Sequence, residues 1–567
     1  MSNKRSLSND EIVTYLSTLY ESESEGDPIS EDEENEYIPN QESSSESDDY
    51  HDNSGNENEQ LQSTVALSNT EDTLDVQTTS TTILTGKDGT RWESIDQNLV
   101  NAGRITAQNI IREIPGPTSV AKRQVFPGQV LSSFIIKHIQ KCTETEARMK
   151  VNDETWNISF EEIYATIGIM YARGVLAKGQ SVENLWSVKW GPPFFRETMS
   201  RARFKEIMKF LRFDIRSSRS IRMQTDKFAM ILEVWDRFIK NSISCYRPSE
   251  NITVDEHLFP TKCRCPFTQY IASKPDKFGI KFWLAADAKS KYLLNGFPYL
   301  GKDESRPSNQ PLSEYVVLKL TEPYTGKGRN VTTDNFFTSV KLAEKLLAKN
   351  TSLVGTVNRI RREIPISIRN THDKQYSSQI LKHNQYTLTV YQCKKNKNVL
   401  LLSTVHKKVE IGNDTKRTPD TISYYNNSKF GVDVVDQMAR LYTTKAASRR
   451  WPVQVFYNIL DFSGINACII YKEVTGELIS RRDFILRLAE ELQKTFKNIH
   501  AEGNSESDAD TYADANVSNT SNKRKQCQIR QCKGNKTTEI CCKCKEFVCG
   551  KCTNIVIKKI ICVKCKQ

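Results

Sequence analysis

Ile252-Thr-Val-Asp255 is one of three short stretches that decide the predicted fold, the others being Asn330-Val-Thr-Thr-Asp334 and Gly431-Val-Asp433-Val-Val-Asp436. Each of the first two ends a short run of β-branched and apolar residues with an aspartate, a pattern typical of a buried strand. The third opens an amphipathic stretch typical of a helix. A carboxylate at a strand end points into the cleft beyond the edge of the sheet. Two such strands and a facing helix therefore bring three carboxylates to one point.

A carboxylate cluster of this kind suits hard divalent cations, which prefer oxygen ligands. Two ions about 3.5–4 Å apart stabilise both the attacking and the leaving oxygen when a phosphodiester is displaced in line. A single aspartate at a strand end or helix start is more often a turn or cap residue. The set of three favours a nuclease or strand-transfer centre.

Hydrophobic periodicity predicts the elements around these motifs. Strands are predicted at 251–258, 279–286, 292–298, 330–333 and 352–357, and a helix at 339–348 lies between the last two. Residues of about 104–250 are predicted to be mainly helical, with Ser159 and Glu162 spaced as a capping box. The order of three strands, a fourth strand, a helix and a fifth strand matches an RNase H-like sheet.

Longer motifs accompany the aspartates in residues 199–214, 254–256, 269–281, 333–338, 425–438 and 449–452. Through them the chain resembles the piggyBac transposases, in order from about residue 87 to 475 and again in its cysteine-rich tail. The resemblance implies a DDE/D recombinase in which Asp255, Asp334 and Asp433 are catalytic and hold two Mg²⁺ ions, for which Mn²⁺ can substitute. Asp436 falls on a fourth acidic position. Cys263 departs from the family pattern, which has a small residue there, usually Gly.

Asp433 and Asp436 are three residues apart and so share one face of the predicted helix. Two like charges so close are unfavourable unless a cation or a basic group lies between them. Ion coordination by Asp433 with Asp436 in support explains both. The alternative is a solvated helix start, where acids interact favourably with the dipole. Direct ligation by Asp436 stays open.

The predicted fold class is a multidomain α/β protein. An RNase H-like catalytic core is interrupted by an insertion domain, which the resemblance implies, and is joined to a mainly helical DNA-binding and dimerisation region. The predicted domains are an acidic disordered tail 1–86, the helical region 87–250, a first core segment 251–358, the insertion domain 359–420, a second core segment 421–442, a second helical region 443–500, a linker 501–525 and a zinc-binding domain 526–567.

The net charge of +11 hides a sharp asymmetry. Residues 1–86 contain 21 acidic residues but only Lys4 and Arg5 as bases, so the rest of the chain is strongly basic. An acidic tail on a basic body is typical of nucleic-acid binders. Serines that precede acids in the tail suit acid-directed kinases, although a merely solubilising tail fits equally well. We expect neither a membrane span nor a secretory leader, because no apolar run approaches about 20 residues.

Two basic segments near the aspartates are candidate DNA contacts: Lys274, Lys277 and Lys281, and then Arg449, Arg450 and Trp451. Cations neutralise phosphates, and an aromatic ring can stack on an unpaired base. Trp451 is therefore either a residue that holds a displaced base or a buried core residue beside Pro452.

Nine of the 15 cysteines fall in residues 527–565. Four pairs supply eight thiolates for two tetrahedral zinc sites: Cys527 and Cys532, Cys541 and Cys544, Cys549 and Cys552, and Cys562 and Cys565. Cys542 is left over and could exchange with Cys541. Pairing the first with the third and the second with the fourth gives a cross-brace of RING/PHD type, which the resemblance supports. Lys523-Arg524-Lys525 is either a nuclear-import element that an import receptor reads or a portion of the basic surface.

The function predicted is cut-and-paste DNA transposition in the nucleus by a homodimer. The resemblance implies hairpinned ends, TTAA target sites and a dimer. The alternative is a domesticated, non-catalytic DNA or chromatin binder derived from such an enzyme, against which the retention of all three acids argues. A ubiquitin ligase or histone-tail reader built on the tail is disfavoured by its dense lysine content.

Overall fold

The structure is a computed structural model that describes residues 82–94, 110–111, 113–123, 133–272, 274, 276–302, 306–369, 374–503 and short stretches between 525 and 562. Residues up to 500 form one unit and residues from 501 form a second. Most of the predicted acidic tail and linker therefore lies outside the described residues.

Helices dominate the portion of the first unit that precedes the long strands, as the apolar periodicity predicted. They are α1 (Ser119–Arg123), α2 (Ser133–Val151), α3 (Phe160–Leu176), α4 (Val182–Leu185), α5 (Pro193–Thr198), α6 (Arg201–Phe210), α7 (Arg216–Thr225) and α8 (Leu232–Cys245). The predicted capping box is confirmed at the start of α3, where Ser159 accepts from Glu162 N and the Glu162 side chain accepts from Ser159 N. These bonds satisfy backbone donors that the first turn leaves unpaired.

The remaining helices of this unit follow or interrupt the strands. They are α9 (Leu312–Thr321), α10 (Val340–Leu347), α11 (Asp420–Ser428), α12 (Gly431–Leu441), α13 (Trp451–Thr475) and α14 (Arg481–Gly503). Single 3₁₀ turns lie at Glu322–Tyr324 and Ile366–Ile368.

Strands of the first unit are β1 (Ile83–Thr85), β2 (Arg91–Ser94), β3 (Gly116–Pro117), β4 (Tyr246–Arg247), β5 (Asn251–Pro260), β6 (Thr268–Tyr270), β7 (Phe278–Asp287), β8 (Leu293–Pro298), β9 (Asn330–Thr333), β10 (Ser352–Thr356), β11 (Ser378–His383), β12 (Tyr386–Lys394) and β13 (Lys397–Ser403). The five strands predicted from periodicity are confirmed as β5, β7, β8, β9 and β10, to within two residues at each end.

One mixed sheet contains these strands apart from β3 and β4, which pair with each other. Its order is β1-β2-β11-β12-β13-β10-β9-β5-β7-β6, with β8 also paired to β7. Strand β7 runs antiparallel to both β5 and β8, whereas β9 runs parallel to β5 and β10 runs parallel to β9. The parallel strands therefore end at the same edge of the sheet.

Two predicted boundaries differ from the observed sheet. Strand β1 lies within the predicted acidic tail 1–86, and its hairpin partner β2 pairs with β11, so ordered structure begins before residue 87. The antiparallel strands β11–β13 fall within the predicted insertion 359–420, but β13 pairs with β10 and extends the same sheet. Backbone pairing makes this segment continuous with the rest of the sheet.

Helices cover both faces of the sheet. On one face, α9 and α10 bury Val317 and Leu342 with Val254 and Trp283. On the other, α12 and α13 pack with Phe282 and the mainly helical portion of the unit in a single apolar core. Because both faces are covered, the central strands are apolar on both sides, as their sequences predicted.

Helix α13 corrects one expectation from the sequence. Its 25 residues are long and apolar enough to cross a membrane, contrary to the prediction that no such segment exists. Of its most apolar window, 89% is buried inside the protein. The helix fits a central core element of the folded unit.

The second unit contains the short pairs β14 (Lys525–Gln526) with β15 (Lys536–Thr537), and β16 (Thr553–Val556) with β17 (Lys559–Cys562). Cys541, Cys542, Cys544, Cys552 and Cys565 lie outside the described residues, as does the side chain of Cys562.

Candidate active site

The parallel pairing of β5 and β9 aligns the first two predicted site residues. Thr253 is in register with Thr332, so Asp255 and Asp334, two residues further on, stand side by side, with Asp255 in the middle of β5 and Asp334 directly after the end of β9. Adjacent strands lie about 4.8 Å apart. Alternation along each strand also puts both aspartates on the same face as the two threonines. The side chains of these threonines both contact Ser428, at the end of α11.

These contacts position the third aspartate. Thr253 donates to the Ser428 carbonyl and Thr332 donates to the Ser428 hydroxyl, at 2.7 and 2.9 Å. A Cβ atom at Gly431 would lie 2.4 Å from Thr253 Oγ1, so only glycine allows α12 to start so close to β5. Asp433 lies in the first turn of α12, directly above the strand that carries Asp255. The structure therefore brings the three predicted aspartates to one cleft.

The carboxylates repel one another within this cleft. Burial, then the charges of Asp334, Glu256 and Asp433, raise the pKa of Asp255 to about 7, although a bond from Glu256 N opposes this. Burial, and then the charge of Glu256, also raise the pKa of Asp334, against bonds from Phe336 and Phe337 N. Burial and the charges of all three aspartates raise the pKa of Tyr425. The cleft thus carries an excess of negative charge.

This donor set fits divalent metal ions. Oxygen ligands are what Mg²⁺ and Mn²⁺ prefer, and partly buried like charges are stabilised by a cation between them. Among the described residues, the oxygen atoms of the three carboxylates do not all lie within 4.8 Å of one another. Lys281 is the nearby cation: its ammonium group lies 3.4 Å from Glu256 and 4.0 Å from the centre of the Trp283 ring.

Asp436 lies in a different electrostatic environment. His257 Nδ1 and Arg440 Nε lie 3.2 and 2.9 Å from its Oδ1 atom, and Arg440 also pairs with Asp276. Burial alone would raise the pKa of Asp436, but His257 and Arg440 outweigh it and lower the pKa. Asp436 is therefore paired with the Arg440 guanidinium and lies beside the His257 ring.

The six predicted DNA contacts divide into two groups. Lys277 and Arg449 are exposed, and the ammonium groups of Lys274 and Lys281 lie 4.0 and 3.4 Å from Glu256, the residue after Asp255. Arg450 and Trp451 correct the prediction. Arg450 donates to the carbonyls of residues 208, 209 and 211 at the end of α6, and its guanidinium is committed there.

Trp451 is a core residue, which decides between the two alternatives for it. Only 6% of its surface is exposed. Its ring stacks on Phe228 and meets Phe267 edge-on, at centroid distances of 5.8 and 5.0 Å. A base cannot reach a ring that is enclosed in this way.

Cys263, the departure from the family pattern, is accommodated by the loop before α13. Its thiol donates to the Ser448 carbonyl at 2.8 Å and packs against the helical core. Burial raises the pKa of this thiol. Cys263 therefore links the segment after β5 to the loop before α13 as a partly buried thiol.

Three of the predicted zinc ligands lie together in the second unit. The sulfur atoms of Cys527, Cys532 and Cys549 all lie within 4.8 Å of one another, in a group that could hold a metal ion. They come from the first and the third predicted pairs. Thiolates are ligands that zinc favours.

The prediction from sequence missed several residues of the first site. Glu256 and Tyr425 lie inside motifs quoted above and His257 directly follows one of them, but only the aspartates were assigned roles. Arg440 follows Asp436 by four residues, the spacing of a helical ion pair, and that signal could have identified it.

Comparisons with known proteins define the class of the protein. The family model described as Transposase IS4 matches residues 125–468, well over half of the chain and inclusive of all three aspartates. The chain belongs to this transposase family, and within it to the piggyBac type.

Particular relatives support the assignment. The chain is similar to a solved structure, the cryo-EM structure of the piggyBac transposase synaptic complex with hairpin DNA, with a TM-score of 0.66 and 30% identity, covering 80% of this chain and all of that one. It is 25% identical over 249 residues to the human PiggyBac transposable element-derived protein 3, and equally so to the human Chimeric ERCC6-PGBD3 protein. These matches span 40% of this chain, but only 41% and 23% of the human proteins.

Proposed function

We propose that the chain is a cut-and-paste DNA transposase of piggyBac type that cleaves and rejoins DNA strands at TTAA sites through hairpinned ends. The observation that carries the proposal is the alignment of Asp255 and Asp334 on adjacent parallel strands beneath Asp433. Their raised pKa values mark a site that a divalent cation would stabilise.

The topology supports an RNase H-like core. Strands β8, β7, β5, β9 and β10 lie in this spatial order, and only β7 runs antiparallel to β5 within the β7-β5-β9-β10 series. The similarity to a solved transposase complex with DNA supports DNA as the substrate. We assign the catalytic core to 251–358 and 421–442, with 359–420 as its insertion.

The residues of this chain have separate roles in the proposed mechanism. When bound between Asp255, Asp334 and Asp433, two Mg²⁺ or Mn²⁺ ions supply activation of the attacking oxygen and stabilisation of the leaving oxygen. The three aspartates would hold the ions that in turn orient the reacting phosphate, and Lys274, Lys277, Lys281 and Arg449 offer charge to the DNA backbone. Asp436, held by His257 and Arg440, keeps α12 in position over β5.

The proposed chemistry runs in four displacements. A water oxygen first attacks a phosphorus atom, and the bond to the 3′-oxygen breaks, which leaves a 3′-hydroxyl at the element end. That hydroxyl then attacks a phosphorus atom of the opposite strand and displaces the 3′-oxygen of the flanking DNA, which closes the hairpin. A second water opens the hairpin at the same phosphorus atom and frees the 3′-hydroxyl of the element, which finally attacks a phosphorus atom of the target and displaces a 3′-oxygen there. Each step exchanges one phosphorus–oxygen bond for another.

The proposed setting is the nucleus and a homodimer, because two element ends must be cut together. In the tail, Cys527, Cys532 and Cys549 with one further cysteine would form one zinc site, and the other predicted cysteines a second. Lys523-Arg524-Lys525 would serve nuclear import.

A domesticated DNA-binding role is the second candidate. It is favoured by one observation, namely that a human relative is named as derived from a transposable element. A DNA-binding role does not need three acids that repel one another. Substitution of these acids should therefore leave a binding role intact but abolish transposition.

The test is excision of a marker flanked by the genomic DNA that borders this reading frame. The expected result is excision that depends on Asp433 and leaves an intact TTAA. Asp433→Asn is the control variant, and its binding to the same DNA is measured in parallel. Binding of these ends without excision by the unaltered protein would assign the chain to the second candidate.

A further inference from the structure

A cavity of about 850 Å³ opens beside the active site, between β12, β13 and α11. Thr356, at the end of β10, and Tyr425, on α11, form its wall on the side of the aspartates. Residues from β12 and from the loop before α11 form the opposite side. The strands β11–β13 therefore create a recess that the five-stranded core alone would lack.

Geometry joins this cavity to the catalytic cleft. Gly355 is in register with Thr333, so the next residues, Thr356 and Asp334, stand side by side on β10 and β9. The Tyr425 hydroxyl lies 3.4 Å from Thr356 Oγ1. The charges of Asp255, Asp334 and Asp433 all act on this hydroxyl, whose pKa burial already raises. A strand held at the aspartates would thus pass the mouth of the cavity.

The lining is cationic and aromatic. Among the described residues it includes Lys394, Lys416 and Lys429 but no acidic residue, while Asp414, beside it, accepts bonds from Thr418. Tyr376 and Tyr425 supply partly exposed rings, whereas Tyr391 is buried in the wall, and the Lys429 ammonium lies 5.3 Å from the Tyr425 ring centre. Cations that neutralise phosphate and rings that stack on bases are the two elements of single-strand DNA recognition.

Tyr376 is held in an uncommon backbone conformation. Its φ angle is +66°, in the left-handed region that residues other than Gly, Asn and Asp seldom adopt. A bond from Tyr376 N to the Gln392 carbonyl, 2.8 Å long, fixes this conformation. Strain of this kind is concentrated at binding sites, where a ring must face a ligand.

We propose that this cavity binds an unpaired nucleotide of the DNA strand whose phosphate lies at the three aspartates. The base would stack on Tyr376 and Tyr425, and the adjoining phosphate would pair with Lys394 and Lys416. The inference rests on the proposed DNA substrate and adds a site to it. An acidic protein segment is the competing ligand, since it would use the lysines but not the stacking rings.

The test uses the full-length protein and a hairpin oligonucleotide with 2-aminopurine unpaired in its TTAA tip, beside a fully paired duplex of the same sequence. Calcium replaces magnesium so that binding is measured without cleavage. The double variant Lys394→Glu/Lys416→Glu is compared with Lys395→Glu/Lys397→Glu. All four side chains are exposed and both variants change the charge equally, but the control pair does not line the cavity.

We expect the cavity variant to bind the hairpin on the order of tenfold more weakly and to lose its fluorescence change, with duplex binding altered about as in the control. Equal losses in both double variants would overturn the proposal, because only long-range charge would then be involved. The proposal would also be overturned if the unaltered protein gave no fluorescence change with the hairpin and an acidic peptide of residues 21–36 displaced the hairpin from it.

Tyr376→Asn separates binding from folding, since Asn tolerates the left-handed region. We expect an unchanged or raised melting temperature together with a reduced 2-aminopurine signal. A lower melting temperature with a normal signal would make Tyr376 structural and contradict the proposal. The 2-aminopurine signal is also measured in Asp433→Asn, where it should persist although excision is lost. Conversely, loss of the signal in a protein whose excision still depends on Asp433 would overturn the cavity proposal and leave the proposed function standing.

Discussion

Helix α12 carries two acids, Asp433 and Asp436, over strand β5, and the two lie in opposite electrostatic environments. Asp433 faces Asp255 and Asp334, where the negative charges outnumber the cations of the described residues and the pKa of Asp255 is raised. One turn further on, Asp436 is paired with His257 and Arg440, and its pKa is lowered. An acid paired with an arginine stabilises the fold, whereas acids that repel one another depend on a cation from outside.

The largest expected effect is on catalysis at the three-acid cluster. Asp255→Asn, Asp334→Asn or Asp433→Asn should each reduce excision by at least about 10³-fold, because each removes a charged ligand needed in the transition state. Binding to the element ends should change little. Marker excision and gel-shift binding are measured side by side, and loss of binding in all three variants would mean that the acids are structural.

A smaller loss is expected at the paired acid. Asp436→Asn should reduce excision about 10–100-fold, the usual effect of removing a group that orients a metal ligand. Asp276→Asn is the matched control, because it removes the other carboxylate partner of Arg440 and leaves Asp436 in place. If Asp436→Asn abolished excision as completely as Asp433→Asn, Asp436 would be a direct metal ligand, and the difference between the two acids of α12 would be contradicted.

Metal affinity should depend on pH at the cluster. Because burial and neighbouring charges raise the pKa of Asp255 to about 7, protons compete with the cation below that pH. Mn²⁺ affinity, measured by calorimetry, should therefore fall up to about tenfold per pH unit below 7. In Asp334→Asn, which removes a charge that raises this pKa, the midpoint of the pH dependence should move to lower pH.

The smallest effects concern the stability of the metal-free protein. A raised folded-state pKa means that Asp255 destabilises the fold as pH rises from about 4 toward 7, so Asp255→Asn should raise the melting temperature at about pH 7.5. The lowered pKa of Asp436 means that its charged form stabilises the fold above about pH 4. Asp436→Asn should therefore lower the melting temperature at the same pH. Shifts of roughly 1–3 °C in opposite directions are expected by calorimetry, and shifts of the same sign would contradict the comparison.

Much of the cluster could be predicted because its determinants are local. Runs of β-branched residues before Asp255 and Asp334 gave strands β5 and β9, and apolar spacing gave the helix of Asp433. The roles of Arg450 and Trp451 could not be predicted locally. Arg450 caps α6, more than 200 residues earlier, and Trp451 is enclosed by Phe228 and Phe267.

The sequence by itself determined the elements, the transposase family and the acids that repel one another, since periodicity and motif spacing are properties of neighbouring residues. Only the tertiary structure decided that His257 lies beside Asp436. His257 and Asp436 lie 179 positions apart in the chain and meet because α12 packs on β5 at Gly431. Charge pairing depends on distance in space, which a linear pattern does not specify.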